Sequence, residues 1–254
     1  MSKRIFHGIL FLINVLAGLF LHSSNPVYNW LTAICLAVVV TYFCKSNFPL
    51  FGPALFFLFA YLAALLPFAY LGLFMIVPLA LYLVLVLFIR PLKAKSHWLK
   101  TGRIGTAIWL WGTIITIVSI LALVTWAALF KPNLGDIMSI IPGRGLGTLL
   151  PIGVAFAVVN SLVEEAIYRG ILWDGLNVVL GRLAVVNLAQ AAIFGVAHIK
   201  GFPRGAVGVI LAFIYGVFLG IIRHRTRGLL APIIIHMVAD LTIFMILMVM
   251  LEKL

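Results

Sequence analysis

The chain has 254 residues, 65% of them hydrophobic and only 9% charged, and its formal net charge is +12. A soluble domain carries about 25% charged residues, so a water-soluble globule is excluded and a polytopic membrane protein fits. The positive balance does not point to nucleic acid, because the basic residues fall between apolar runs instead of gathering on one face.

Taken in order, apolar runs lie at about 5–21, 27–44, 48–68, 70–89, 104–130, 146–172, 183–199, 205–222 and 229–251. Each approaches the ~20 residues a spanning helix needs, which predicts an all-α, polytopic transmembrane helix bundle of eight or nine segments. The first run follows Lys3-Arg4 and resembles a signal peptide. His22-Ser23-Ser24 makes only a passable cleavage site, however, and because the following runs continue the same pattern the run reads as an uncleaved first span. Phe48 to Ile89 is uncharged and too long for one span, with Pro67 and Gly72 marking the expected turn. Cys35 and Cys44 match no metal spacing and read as buried thiols.

With nine spans and a cytoplasmic N-terminus, twelve basic residues face the cytoplasm: Lys3, Arg4, Lys45, Arg90, Lys93, Lys95, Lys100, Arg103, Arg182, Arg223, Arg225 and Arg227. Only five, Lys131, Arg144, Lys200, Arg204 and Lys253, fall outside. That bias is the one expected of an integral membrane protein in a bacterial plasma membrane with its N-terminus inside. His97 and His224 lie in basic loops and read as solvated.

The first five spans hold no acidic residue, so residues 1–145 form N-terminal spans of unassigned role and chemistry is sought in 146–254. There, Glu164 and Glu165 stand side by side after an apolar run, where an ionisable group costs roughly 2.5–3.5 kcal/mol to insert. On a helix Glu165 and Arg169 share a face at i,i+4 and can pair, which leaves Glu164, about 100° around, unneutralised. His198 ends the run from Leu183, and His236 and Asp240 share a face of the last run. Histidine titrates near neutrality, so these groups together make a set for activating water. Taken singly, each has a plainer reading: a structural ion pair, an interfacial histidine, an interhelical hydrogen bond.

The pattern E-E-x-x-x-R, then F-x-x-x-H, then H-x-x-x-D over 164–240 resembles the CPBP (Abi) family of CAAX-type intramembrane endopeptidases and bacteriocin-related proteins. The resemblance implies that Glu164 and His198 activate a water molecule, that Glu165 and Arg169 support them, and that His236 stabilises an oxyanion. It implies cleavage of a membrane-proximal or lipid-linked peptide, with the lipid bilayer as surroundings and no nucleic-acid partner. The best-known pattern ends in asparagine where this chain has Asp240, and an ionised carboxylate only accepts hydrogen bonds. No cofactor is required by this reading. A divalent metal such as zinc stays open as an alternative, with Glu164, His198, His236 and Asp240 as candidate ligands.

Two other readings compete: a non-catalytic immunity or scaffold membrane protein, and a proton-coupled transporter. The transporter would show inverted repeats and broken helices in both halves, and neither is evident. Gly208, Ala212, Gly216 and Gly220 form a small-residue stripe suited to close helix packing. One geometric conflict remains. If 170–182 is a plain loop, Glu164 lies about 8 Å from one face while His198 lies about 22 Å from it. Either the His198 segment is tilted or starts deeper, or 170–182 re-enters the membrane.

Overall fold

The structure, a computed structural model, describes residues 2–66, 75–132 and 146–251. The described residues are helical with no strand. The helices are α1 (Lys3–Phe20), α2 (Pro26–Ser46), α3 (Phe48–Ala64), α4 (Ile76–Phe88), α5 (Arg90–Lys95), α6 (Thr106–Phe130), α7 (Leu146–Glu165), α8 (Trp173–Leu180), α9 (Leu183–Ala197), α10 (Gly205–Thr226) and α11 (Leu230–Leu251). Seven helical stretches are long and apolar enough to cross a membrane, and α3 and α4 are shorter apolar helices. The expected turn at Pro67 and Gly72 lies outside the described residues, as do Arg144 and Lys253.

Local chemistry sets several helix ends. The Ser2 side chain accepts the Ile5 N–H, and Asn25 accepts the Val27 N–H just before Pro26, which is pre-set for a first helical turn. Gly181, at φ +69°, closes α8 in the left-handed region that glycine adopts without strain.

The largest departure from the sequence reading lies in 170–180. Instead of a loop, a π-helical turn (Ala166–Leu172) joins α7 to α8, and Leu149–Leu180 is one 32-residue helical stretch. This settles the depth conflict. From the α8–α9 turn, Glu164 lies about 24 Å down one helix and His198 about 22 Å down the next. The two residues are therefore level. Cys35 and Cys44 also differ from expectation: both are free thiols on the uncovered surface of α2, because the buried face of that helix is carried by Ala33, Leu36, Val40 and Phe43.

Helix packing follows small residues, as it must where lipid is as apolar as leucine. The stripe Gly208, Ala212, Gly216 and Gly220 is buried, and a Cβ on Gly216 would lie 3.2 Å from the Ala191 Cα of α9. Gln190 donates to the Gly216 carbonyl at 2.9 Å and Asn187 to the Val217 carbonyl at 3.1 Å, pinning α9 to α10.

The two halves share one core, in which Phe11, Phe43 and Phe57 cluster with Ile167, Ile171 and Phe194. A second junction is made of main chain. Lys100 and Thr101 carbonyls accept the N–H groups of Leu229 and Leu230, at 3.0 and 3.2 Å, while Arg103 N–H donates to the Thr226 carbonyl at 2.9 Å. Gly102, at φ +87°, presses on this turn, and a Cβ there would come within 2.9 Å of Gly228.

Candidate active site

The π-helical turn begins directly after the two glutamates and carries Arg169. Such turns widen a helix locally and recur at functional sites. Glu165 and Arg169 are both fully buried, and Arg169 Nη1 donates to Glu165 Oε1 at 2.8 Å. The guanidinium lies 4.3 Å from the Phe194 ring centroid, so an aromatic face from α9 meets the cation. Its Nε and Nη2 make no hydrogen bond among the described residues.

His236 arrives from α11. Its Nδ1 lies 2.7 Å from the same Glu165 Oε1, and since a carboxylate accepts, the ring donates. Glu165 thus takes one proton donor from its own helix and one from α11. The other ring nitrogen, Nε2, faces Glu164 Oε2 at 3.6 Å and Asp240 Oδ1 at 3.7 Å. Those separations suit charge attraction but are too long for direct hydrogen bonds. Glu164 keeps 24% of its side chain exposed, while its Oε2 is buried without a hydrogen-bond partner.

His198 stands where α9 ends. Its Nδ1 lies 2.9 Å from the Phe194 carbonyl, which can only accept, so in the neutral ring the proton sits on Nδ1 and Nε2 keeps a lone pair. Its ring meets Phe194 edge-on at 4.4 Å, and Phe194 meets His236 at 6.0 Å. Phe194 is thus in ring contact with both imidazoles.

These histidines and Asp240 line a cavity of about 300 Å³ between α6, α9, α10 and α11. The cavity is mainly apolar rather than the polar chamber the clustered acids suggest, and Glu164 does not line it. Glu164 stands beside the cavity, its Oε2 3.6 Å from Nε2 of His236. Half-exposed Trp111 and Val118 of α6 and Ile214 and Phe218 of α10 also line it, so the cavity opens sideways between these two helices.

Several site residues carry no obvious sequence signal. Asn160, one turn before Glu164, donates to Asp240 Oδ2 at 3.1 Å. Its i,i+4 spacing from Glu164 is the one hint the sequence holds. Tyr215 stacks edge-on to His236 at 5.7 Å. Arg223, counted above as a loop charge, donates to the Arg169 carbonyl at 3.0 Å and pairs with Asp174 at 3.4 Å. Asp174 in turn accepts the His97 backbone N–H at 2.8 Å. Among the described residues no group of three His, Cys, Asp or Glu side chains is placed to hold a metal ion. His198 and His236 each use Nδ1 within the protein, which leaves only Nε2 of either ring for anything that enters the site.

Residues 146–242 match the model of the family described as type II CAAX prenyl endopeptidase Rce1-like. Neither the curated proteins nor the solved structures yield a match to the chain. The matched segment contains both glutamates, Arg169, both site histidines and Asp240, on helices long and apolar enough to span a membrane. Over this segment the chain, an integral membrane protein, is similar to the CAAX-type proteases of the CPBP family.

Proposed function

We propose that the chain hydrolyses a peptide bond in a membrane-proximal or lipid-linked peptide, with Glu164 as general base assisted by His198. The observation that carries this reading is the meeting of Glu164, Glu165, His236 and Asp240 beside an apolar, laterally open cavity that His198 also lines. Glu164 takes a proton from water as the water oxygen bonds to the scissile carbonyl carbon. The carbonyl oxygen becomes an oxyanion facing His236, whose ring donates to it from Nε2 while it is the imidazolium, the Nδ1–H being held by Glu165. When the carbon–nitrogen bond breaks, the carbonyl reforms and the proton passes from Glu164, with His198, to the leaving amine. Glu165 and Arg169 neutralise each other and hold His236 through Nδ1, so Nε2 is presented to the reaction.

The orientation follows from charge. Arg4 reaches the Val179 carbonyl and residues 100–103 lie on the 226–230 turn, so most of the basic residues gather at one end of the bundle. That end is the cytoplasmic one on the positive-inside rule, in a bacterial plasma membrane.

The test is cleavage of a farnesylated peptide ending in Cys-a-a-X by purified wild type and Glu164→Gln. Wild type should cleave, and the variant should lose about 10²–10⁴-fold in kcat at unchanged thermal stability. Binding without cleavage by wild type would favour the scaffold reading. Proton flux in proteoliposomes without cleavage would favour the transporter.

A further inference from the structure

Asp240 stands where a donor is wanted, and while ionised it can only accept. The donors that line the cavity are few. The His198 Nδ1–H is engaged by the Phe194 carbonyl, and the Ser119 hydroxyl donates to the Ile115 carbonyl at 2.8 Å. Trp111 is half exposed, so its indole sits at the open side. Tyr215 differs from all of them. Its hydroxyl oxygen is buried and has no hydrogen-bond partner among the described residues, although the residue lines the same cavity as His198, His236 and Asp240.

The placement of that phenol is built, not incidental. On α10 the small residues turn toward α9, and Tyr215, next to Gly216, turns its ring edge-on to His236 at 81°. Its ring thus stands beside the imidazole that Glu165 and Asp240 flank. A buried, unpaired hydroxyl costs about 1–3 kcal/mol, and a phenylalanine would pack the same ring without that cost. Its missing partner is therefore sought in what enters the cavity.

We infer that Tyr215 is a further catalytic residue, whose phenolic O–H donates a hydrogen bond to the oxyanion formed when water attacks the scissile carbonyl. The inference rests on the hydrolytic reading above. Tyr215 keeps its proton throughout: the oxyanion accepts the bond, then returns its electron pair to the carbonyl as the amine leaves. Tyr215, with His236 while that ring is the imidazolium and carries a proton on Nε2, supplies what an asparagine amide at 240 would give, and Asn160 holds Asp240 to one side through Oδ2.

The experiment compares wild type, Tyr215→Phe and the double variant Tyr215→Phe/Asp240→Asn on the farnesylated peptide, with Glu164→Gln as the inactive control. Loss of one oxyanion donor should lower kcat about 10²–10³-fold, with KM little changed. Asp240→Asn should recover part of that loss by restoring a donor. A peptidyl aldehyde that mimics the tetrahedral species should lose affinity for Tyr215→Phe relative to substrate. That ratio does not depend on the folded fraction. If wild type cleaves, Glu164→Gln does not, and Tyr215→Phe matches wild type in kcat and aldehyde affinity, the assignment of Tyr215 is overturned while the hydrolytic reading stands. Loss confined to KM overturns it as well. A wild type that does not cleave overturns both.

Discussion

His7 and His236 are buried almost equally, at 5% and 3% exposure, one in each half of the chain. Their partners differ in kind. Around His7, the Asn47 amide donates to Nδ1 at 2.9 Å and Tyr42 Oη lies 3.1 Å from Nε2, so both nitrogens are met by neutral groups. Around His236 stand three carboxylates, one at 2.7 Å and two at 3.6–3.7 Å. The first arrangement ties α1 to α2 and has no charge to move. The second gathers ionisable groups that can exchange a proton and leaves Nε2 without a direct bond. Burial therefore does not distinguish these two histidines; the chemistry of their neighbours does.

The sharpest way to break the contrast is to remove charge from the His236 side. Glu165→Gln leaves Arg169 buried without its partner and weakens the grip on His236 Nδ1. Breaking a buried pair typically costs about 3–5 kcal/mol, so thermal unfolding in detergent should drop sharply and cleavage should fall with it. Glu165→Gln with wild-type stability would mean that Arg169 is satisfied elsewhere.

A smaller effect should come from Asp240→Asn. With Tyr215 intact, this change removes a repelling charge and adds a donor, so cleavage should persist or rise within about tenfold of wild type. Adding a strong chelator to both proteins separates the metal alternative. Activity that chelation stops, zinc restores and Asp240→Asn weakens would make the site a metal site.

The smallest effect belongs to the neutral network. His7→Phe strands the Asn47 amide and should cost about 1–3 kcal/mol of stability, with kcat per folded molecule unchanged. A large fall in kcat would show that the two histidines are not the different devices their partners suggest.

The legible parts of this molecule are those where polarity interrupts an apolar run. Glu164, Glu165, His198, His236 and Asp240 stand out in sequence because each is costly at membrane depth. Asn160 and Tyr215 do not stand out, since an amide and a phenol are common enough in helices to read as packing. Arg223 and Asp174 are hidden for a different reason. The stretch Gly170-Ile171-Leu172-Trp173-Asp174-Gly175 breaks the apolar pattern and reads as a loop, whereas it is helical from end to end. There the Trp98 ring fills the space a Cβ on Gly170 would need, Phe11 does the same at Gly175, and Arg223 pairs with Asp174. Tertiary packing supplies what local composition withholds, and it also leaves Cys35 and Cys44 on the outside.

The junction of 100–103 with 226–230 has a consequence for how such a chain can vary. Its bonds run between main-chain groups, carbonyls that every residue possesses and N–H groups that only proline lacks, so Lys100, Thr101 and Arg103 hold α11 in place without their side chains taking part. Only Gly102 and Gly228, pressed backbone to backbone, are sterically fixed. Positions 100, 101 and 103 can therefore drift in residue identity and still fasten the start of the helix that presents His236. A comparison of side chains alone would overlook this attachment.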